Sequence, residues 1–122
     1  MCKRILVLDD DLAILDVLKE ILEYSGYDVN TLSRGDAVSE KIQEYHPDLI
    51  LLDVMLAEQD GREICRHIKQ QQDTANIPVI LISATHDLSK SLDQKGAPDD
   101  FVAKPFDIYH LLDKIEYQLT AA

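Results

Sequence analysis

Residues 47–61 read PDLILLDVMLAEQDG, an apolar run that ends on an aspartate and leads into a polar loop. The four residues at 49–52 are all aliphatic, and such an unbroken run is typical of a strand that is buried on both faces of a parallel sheet. The run ends at Asp53. Sheets of this kind bind their ligands at the carboxyl ends of the strands. We therefore expect Asp53 to lie at a binding edge, although an isolated aspartate at this position could equally cap the loop.

Polar side chains also end the other predicted strands. Because the carboxyl ends of parallel strands lie at one edge of the sheet, these side chains can converge although they are far apart in sequence. N-terminal capping of the first helix explains one of the three acidic residues after the first strand well, and three of them poorly. The residues concerned are Asp9, Asp10 and Asp11 after the first strand, Ser83 at the end of the fourth and Lys104 after the fifth.

Apolar strands alternate with amphipathic segments along the whole chain. The second strand alternates enough to be an edge strand, and the segment 87–95 has so few apolar residues that we predict a weakly held helix there. In the third helix we expect Lys69 to point outward. The alternation predicts an α/β fold with a parallel sheet covered by helices on both faces. The strands are predicted at 5–8, 27–32, 49–53, 78–83 and 100–103, and the helices at 12–24, 36–45, 61–71, 87–95 and 107–119.

Length and composition narrow the class of protein. The 122 residues suit one domain with one core. A formal net charge of −11 repels phosphate backbones and anionic lipid, so we expect no direct binding of nucleic acid or membranes. Cys2 and Cys65 lack the spacing of a zinc or redox motif and are interpreted as reduced thiols. The short apolar run after the N-terminus is no signal peptide, and no stretch has the length of a membrane span, which together indicate a cytoplasmic protein.

The acidic residues at the predicted sheet edge indicate a metal site. Carboxylates brought together repel one another and need a cation, and oxygen ligands that share a small site with phosphoryl oxygens favour Mg²⁺. The three negative charges of Asp9, Asp10 and Asp53 are balanced by one divalent ion and the Lys104 ammonium. Phosphoryl transfer requires mainly alignment and charge stabilisation, and a carboxylate is an accepted nucleophile for it. We therefore interpret Asp53 as the acceptor of a phosphoryl group.

Four motifs along the chain resemble those of one family, the receiver domains of two-component response regulators. They stand in the family's order and span nearly the whole chain. The resemblance implies a flavodoxin-like (βα)5 fold, a doubly wound five-stranded parallel sheet with strand order 2-1-3-4-5. It also implies a single receiver domain over residues 1–122 with no output domain. The motifs are ILVLDDD at 5–11, DLILLDVMLAEQDG at 48–61, PVILISA at 78–84 and DFVAKPF at 100–106.

The resemblance also assigns roles to residues. It implies that a histidine kinase or a histidine phosphotransfer protein phosphorylates Asp53, and that Ser83 and Lys104 bind the phosphoryl oxygens. It implies Mg²⁺ ligation by Asp10, Asp53 and the main-chain carbonyl of Met55, with Asp9 contributing directly or through water. Beyond catalysing its own phosphorylation and slow dephosphorylation, such a domain is not an enzyme.

The same resemblance describes how the phosphorylated state is read out. Phe101 matches an aromatic position whose rotamer reports the state, and the Lys104-Pro105 bond resembles the family's cis peptide. Ordinary core packing is the alternative for Phe101. The readout surface is expected on the helix at 87–95, the strand at 100–103 and the last helix. We expect it to act on a separate downstream target protein, from a monomer or a weak phosphorylation-dependent dimer.

Two other functions fit parts of the pattern. An aspartyl phosphatase of the haloacid dehalogenase type uses a strand-end carboxylate, here Asp9 in a DxD with Asp11, together with Ser83, Lys104 and the acidic pair at 99–100. That interpretation leaves Asp53 without a role. A receiver-like adaptor that is never phosphorylated is the third interpretation. Labelling with a small phosphodonor, and mapping the labelled residue, distinguishes the three.

Overall fold

The computed structural model describes residues 3–56, 59–83, 99–104 and 107–120. Five parallel strands form one sheet in the order β2-β1-β3-β4-β5, as predicted. The predicted helix at 87–95 lies outside the described residues, so α4 is the helix predicted at 107–119. The strands are β1 Arg4–Leu8, β2 Asp28–Leu32, β3 Leu49–Asp53, β4 Val79–Ser83 and β5 Asp100–Ala103. The helices are α1 Leu12–Tyr24, α2 Val38–Tyr45, α3 Gly61–Gln70 and α4 Ile108–Thr120, with a 3₁₀ turn at Gly35–Ala37 before α2.

The central strand β3 is buried on both faces, as its unbroken apolar run predicts. Its side chains alternate between two hydrophobic clusters. Leu49 and Leu51 lie in the cluster that includes residues of α1 and α4, whereas Ile50 and Leu52 lie in the cluster that includes residues of α2 and α3. In the described part of the chain, two helices therefore cover each face, and the carboxyl ends of β1, β3, β4 and β5 share one edge of the sheet.

Helix α1 shows how the local sequence sets the boundaries. Asp11 is its N-cap, and the Asp11 side chain accepts hydrogen bonds from the backbone N–H groups of Ala13 and Ile14 at 3.0 and 3.4 Å. Gly26 follows the C-cap with φ +100, a left-handed conformation that glycine adopts without strain. The helix is therefore bounded by a capping aspartate and a glycine.

The prediction that Lys69 points outward is wrong. Its side chain is only 11% exposed, and its ammonium donates to the carbonyls of Ala75 and Ile77 at 3.2 and 2.7 Å. It also forms an ion pair with Asp99 at 2.6 Å. The long aliphatic stem lets the charged group reach acceptors at the amino-terminal edge of the sheet, which helical periodicity cannot reveal.

None of the helices in the described part of the chain combines the length and the hydropathy that a transmembrane span needs.

Candidate functional site

Three carboxylates converge at the carboxyl edge of the sheet. Leu8 pairs with Leu52 in the β1–β3 ladder, so Asp9 and Asp53 come next on adjacent strands. Oxygen atoms of Asp9, Asp10 and Asp53 all lie within 4.8 Å of one another. Asp9 and Asp53 are 1% and 3% exposed, whereas Asp10 is exposed. The cluster therefore has a buried floor and an open side.

Lys104 brings a positive charge to the same place from the far end of the sheet. Ser83 pairs with Ala103 in the β4–β5 ladder, and the next amide, Lys104 N–H, donates to the Ser83 carbonyl at 2.7 Å. This register directs the lysine toward the acidic cluster. Its Nζ lies 3.4 Å from both Asp9 Oδ2 and Asp53 Oδ2, and its side chain is 23% exposed.

Burial in this cluster raises the pKa of the Asp9 carboxyl above its ordinary value. A hydrogen bond from the Asp11 backbone N–H, 2.9 Å from Asp9 Oδ1, opposes this shift. The negative charge of Asp53 raises the pKa of Asp9 further, and the Lys104 ammonium lowers it. The site thus holds its negative charge at an energetic cost, which an additional cation relieves.

A tight loop holds the Asp53 carboxylate in place. The Met55 N–H donates to Asp53 Oδ1 at 3.2 Å, and Met55 forms a bridge with Asp60 that folds the loop back on itself. The Val54 N–H donates to the Ile82 carbonyl at 3.0 Å and so continues the ladder past the end of β3. The Met55 side chain is exposed, and the Met55 backbone lies two residues after Asp53.

Ser83 and Phe101 take less central positions. Ser83 is fully buried at the end of β4, one residue beyond Ile82, the partner of Asp53 in the ladder. Phe101 is partly buried and packs against the cluster on the α2–α3 face of the sheet. The predicted cis bond involves Pro105, which lies outside the described residues.

Two parts of the phosphatase interpretation are not available at Asp9, although Lys104 lies beside it. The Asp11 carboxylate is used as the α1 cap. Asp99 precedes β5 and Asp100 is its first residue, so both lie at the amino-terminal edge of the sheet, opposite the acidic cluster. There, Asp99 pairs with Lys69 and Asp100 with Lys114. This arrangement separates the proposed acidic pair from Asp9 by the length of a strand.

Gly61 has a structural role at the site that the sequence did not suggest. Its N–H donates to the Val54 carbonyl at 2.8 Å, and a Cβ at this position would lie 2.8 Å from Val54 Cα and 2.9 Å from the carbonyl carbon of Asp53. Only a residue without a side chain lets α3 begin this close to the strand end. A glycine at the first position of a predicted helix, where helix propensity disfavours it, was the available signal.

The donor set fits a hard divalent cation. Three carboxylates whose oxygen atoms lie within 4.8 Å of one another supply the oxygen ligands that Mg²⁺ prefers. Among the described residues, this is the one group of three or more His, Cys, Asp or Glu side chains that could hold a metal ion.

Comparison with known proteins agrees with this geometry. Residues 5–116 match the family model described as "Response regulator receiver domain". The chain is 41% identical over 107 residues to the "Alkaline phosphatase synthesis transcriptional regulatory protein PhoP" of Bacillus subtilis, covering 87% of this chain and 44% of that protein. It is 36% identical over 124 residues to the "Phosphate regulon transcriptional regulatory protein PhoB" of Rhizobium meliloti, covering 100% and 54%. The chain therefore spans about half the length of these curated relatives.

A solved structure shows the same fold. The "response regulator receiver domain protein (CheY-like)" of Methanospirillum hungatei superimposes with a TM-score of 0.87 at 31% identity, covering 98% of this chain and 94% of that one. The haloacid dehalogenase interpretation is therefore not favoured by the fold, by the site or by the relatives. The chain belongs to the family of response regulator receiver domains.

Proposed function

We propose that Asp53 is the phosphoacceptor of this receiver domain. The observation that carries the proposal is the surroundings of its carboxylate, which is nearly fully buried and lies among two other carboxylates and the Lys104 ammonium at 3.4 Å. Isolated strand-end aspartates do not require such surroundings. A carboxylate that must receive an anionic group does require them, because the charge that develops during transfer has to be balanced.

The metal ligands that we propose are Asp9, Asp10, Asp53 and the main-chain carbonyl of Met55, with Asp9 acting directly or through water. Mg²⁺ held there would supply positive charge that offsets the negative charge on the oxygens of an incoming phosphoryl group. Residues of the chain do the rest. The Met55 N–H holds Asp53 Oδ1 at 3.2 Å, which limits rotation of the carboxylate.

The transfer that we propose is a single displacement at phosphorus. A carboxylate oxygen of Asp53 forms the new bond while the bond from phosphorus to the imidazole nitrogen of a phosphohistidine donor breaks, and the electron pair of that bond stays on the nitrogen. Lys104 and Ser83 bind the phosphoryl oxygens. Hydrolysis of the resulting acyl phosphate by water returns the carboxylate. The chain thus catalyses its own phosphorylation and slow dephosphorylation and turns over no other substrate.

The partners follow from this role. We propose a histidine kinase or a histidine phosphotransfer protein as donor and a separate target protein as receiver of the signal, in the cytoplasm. Phosphorylation turns the Asp53 carboxylate into a group that carries roughly −2 charge and three strong acceptor oxygens, enough to change the environment of Phe101 and the adjoining surface of β5 and α4. The net charge of −11 argues against direct nucleic-acid contact by these 122 residues.

Labelling with acetyl phosphate and Mg²⁺, followed by mass mapping of the modified residue, tests the proposal. We expect one phosphoryl group on Asp53 and none when Mg²⁺ is chelated. The variant Asp53→Asn should not be labelled. Asp11→Asn, which changes the capping carboxylate next to Asp10, should be labelled to the same extent as the wild type. A label on Asp9 would transfer the role to that residue, and unchanged labelling of Asp53→Asn would refute the assignment.

A further inference from the structure

The strand that carries Lys104 is weakly constrained by its own ladder. β5 has four residues, lies at the edge of the sheet and, among the described strands, pairs with β4 alone. A shift of one residue in the register of a strand turns every side chain to the opposite face. For this chain, such a shift would bring residue 103 or 105 to the position from which Lys104 reaches Asp9 and Asp53. Something beyond the short ladder has to set the register.

Asp99, the residue before β5, is held by three contacts at the amino-terminal edge of the sheet. Its N–H donates to the Val79 carbonyl at 2.8 Å, and its Oδ2 accepts from the Val79 N–H at 2.9 Å. The same Oδ2 lies 2.6 Å from Lys69 Nζ. The first residue of β4 is thus bonded to Asp99 through both its donor and its acceptor.

Lys69 is itself fixed by its surroundings. Its ammonium has three acceptors, which are Asp99 and the carbonyls of Ala75 and Ile77, and the side chain is 11% exposed. A buried ammonium that loses its carboxylate partner is costly, so a register in which Asp99 moves away is disfavoured.

The next residue along the chain, Asp100, forms an ion pair with a lysine of a helix on the opposite face of the sheet. Asp100 Oδ1 lies 2.9 Å from Lys114 Nζ on α4, whereas Lys69 belongs to α3 on the other face. Two consecutive aspartates therefore meet two lysines from helices on opposite faces. A one-residue shift in either direction would leave one of the two lysines without an aspartate, so the two ion pairs are satisfied together only in the observed register.

We propose that Lys69 and Asp99 are positioning residues for Lys104, setting the register of β5 and thereby the placement of the Lys104 ammonium beside Asp9 and Asp53. Lys104 lies five steps along an extended chain from Asp99, a span of roughly 16 Å, so the Lys69–Asp99 pair cannot touch the phosphoryl group. The inference rests on the proposed role of Lys104 in phosphoryl transfer. It predicts a loss of rate without a loss of metal binding, because Asp9 and Asp53 belong to β1 and β3.

The experiment uses Lys69→Met and Asp99→Asn in the 122-residue chain. The amide of Asp99→Asn keeps an acceptor for the Val79 N–H, so this is the milder variant. Lys19→Met is the matched control, because Lys19 forms an exposed ion pair with Glu23 at 3.1 Å on α1. The rate of Asp53 labelling by acetyl phosphate at saturating Mg²⁺ and the Mg²⁺ affinity without phosphodonor are measured for each variant, alone and combined with Lys104→Met.

We expect Lys69→Met to slow labelling about tenfold or more, since a displacement of about 1 Å at a reacting group can cost up to a hundredfold. Asp99→Asn should slow it less, and Lys19→Met should not. Mg²⁺ affinity should stay at the wild-type value, and Lys69→Met should add no further slowing in the Lys104→Met background. An unchanged rate, a parallel loss of Mg²⁺ affinity, or equal slowing in both backgrounds would overturn the inference.

Hydrogen exchange of the Lys104 amide, which bonds to the Ser83 carbonyl, gives a readout that needs no phosphate. Lys69→Met should accelerate this exchange relative to Lys19→Met, and equal exchange in the two variants would overturn the inference. If the wild-type chain is not labelled at Asp53, the proposed function fails, and the exchange measurement still decides whether Lys69 sets the register of β5.

Discussion

Replacing Gly61 with alanine adds one methyl group where the structure leaves no room. The new Cβ would lie 2.8 Å from Val54 Cα and 2.9 Å from the Asp53 carbonyl carbon, with a still closer approach to the Asp53 carbonyl oxygen. Non-bonded carbon atoms prefer roughly 3.5 to 4.0 Å, so the backbone has to separate by about 1 Å. The atoms that must move belong to the backbone of the phosphoacceptor and its neighbour.

Two effects of this substitution have opposite signs. Helix propensity alone predicts that alanine stabilises the fold by roughly 0.5 to 1 kcal/mol. Overpacking costs roughly 1 to 3 kcal/mol, and weakening the bond from the residue 61 N–H to the Val54 carbonyl costs about 1 kcal/mol more. We therefore expect Gly61→Ala to lower the free energy of unfolding by roughly 1 to 3 kcal/mol and to slow labelling of Asp53.

Urea unfolding and labelling by acetyl phosphate measure the two consequences. Gly26→Ala is the control, because its Cβ would meet nothing within 4 Å while its φ of +100 costs alanine about 1 kcal/mol or more. That variant should lose stability and keep the wild-type labelling rate. A Gly61→Ala chain that is more stable than the wild type, or that is labelled at the wild-type rate, would show that the loop accommodates the methyl group and that the steric reasoning is wrong.

Three further predictions concern adjacent aspartates and the buried thiol. Asp11→Ala removes the α1 cap and should lower the free energy of unfolding by about 1 kcal/mol in urea titrations, with Mg²⁺ affinity unchanged by calorimetry. Asp10→Asn should do the reverse, weakening Mg²⁺ binding roughly tenfold or more without destabilising the fold, and equal Mg²⁺ affinities in the two variants would contradict the assignment of ligands. Burial raises the pKa of the Cys65 thiol to about 11 from the ordinary 9.0, so above pH 9 the unfolded state loses this proton first. The free energy of unfolding should then fall by roughly 2 kcal/mol more between pH 9 and 11 in the wild type than in Cys65→Ala, and parallel profiles would argue against the shift.

The sequence was sufficient for the architecture of the part of the chain that the structure describes. The apolar run at Leu49–Asp53 predicted a doubly buried strand, and β5 was predicted with the boundaries that it has, Asp100–Ala103. Such predictions succeed because each buried position of a strand favours an apolar residue. A parallel sheet that is buried on both faces is therefore visible in the sequence as a series of short aliphatic runs. Reasoning about strand ends also indicated which side chains could converge, since all parallel strands end at one edge.

Contacts between elements were decided only by the tertiary structure. Asp9 and Asp10 had been predicted to lie with Asp53, and the structure adds that the Asp11 carboxylate is the one that caps α1. Helical periodicity placed Lys69 in solvent, yet its ammonium pairs with Asp99, thirty residues away in sequence. Periodicity reports which face of an element is buried. It carries no information on what a long side chain reaches or how closely two backbones approach, as at Gly61, because those distances depend on how the elements are assembled.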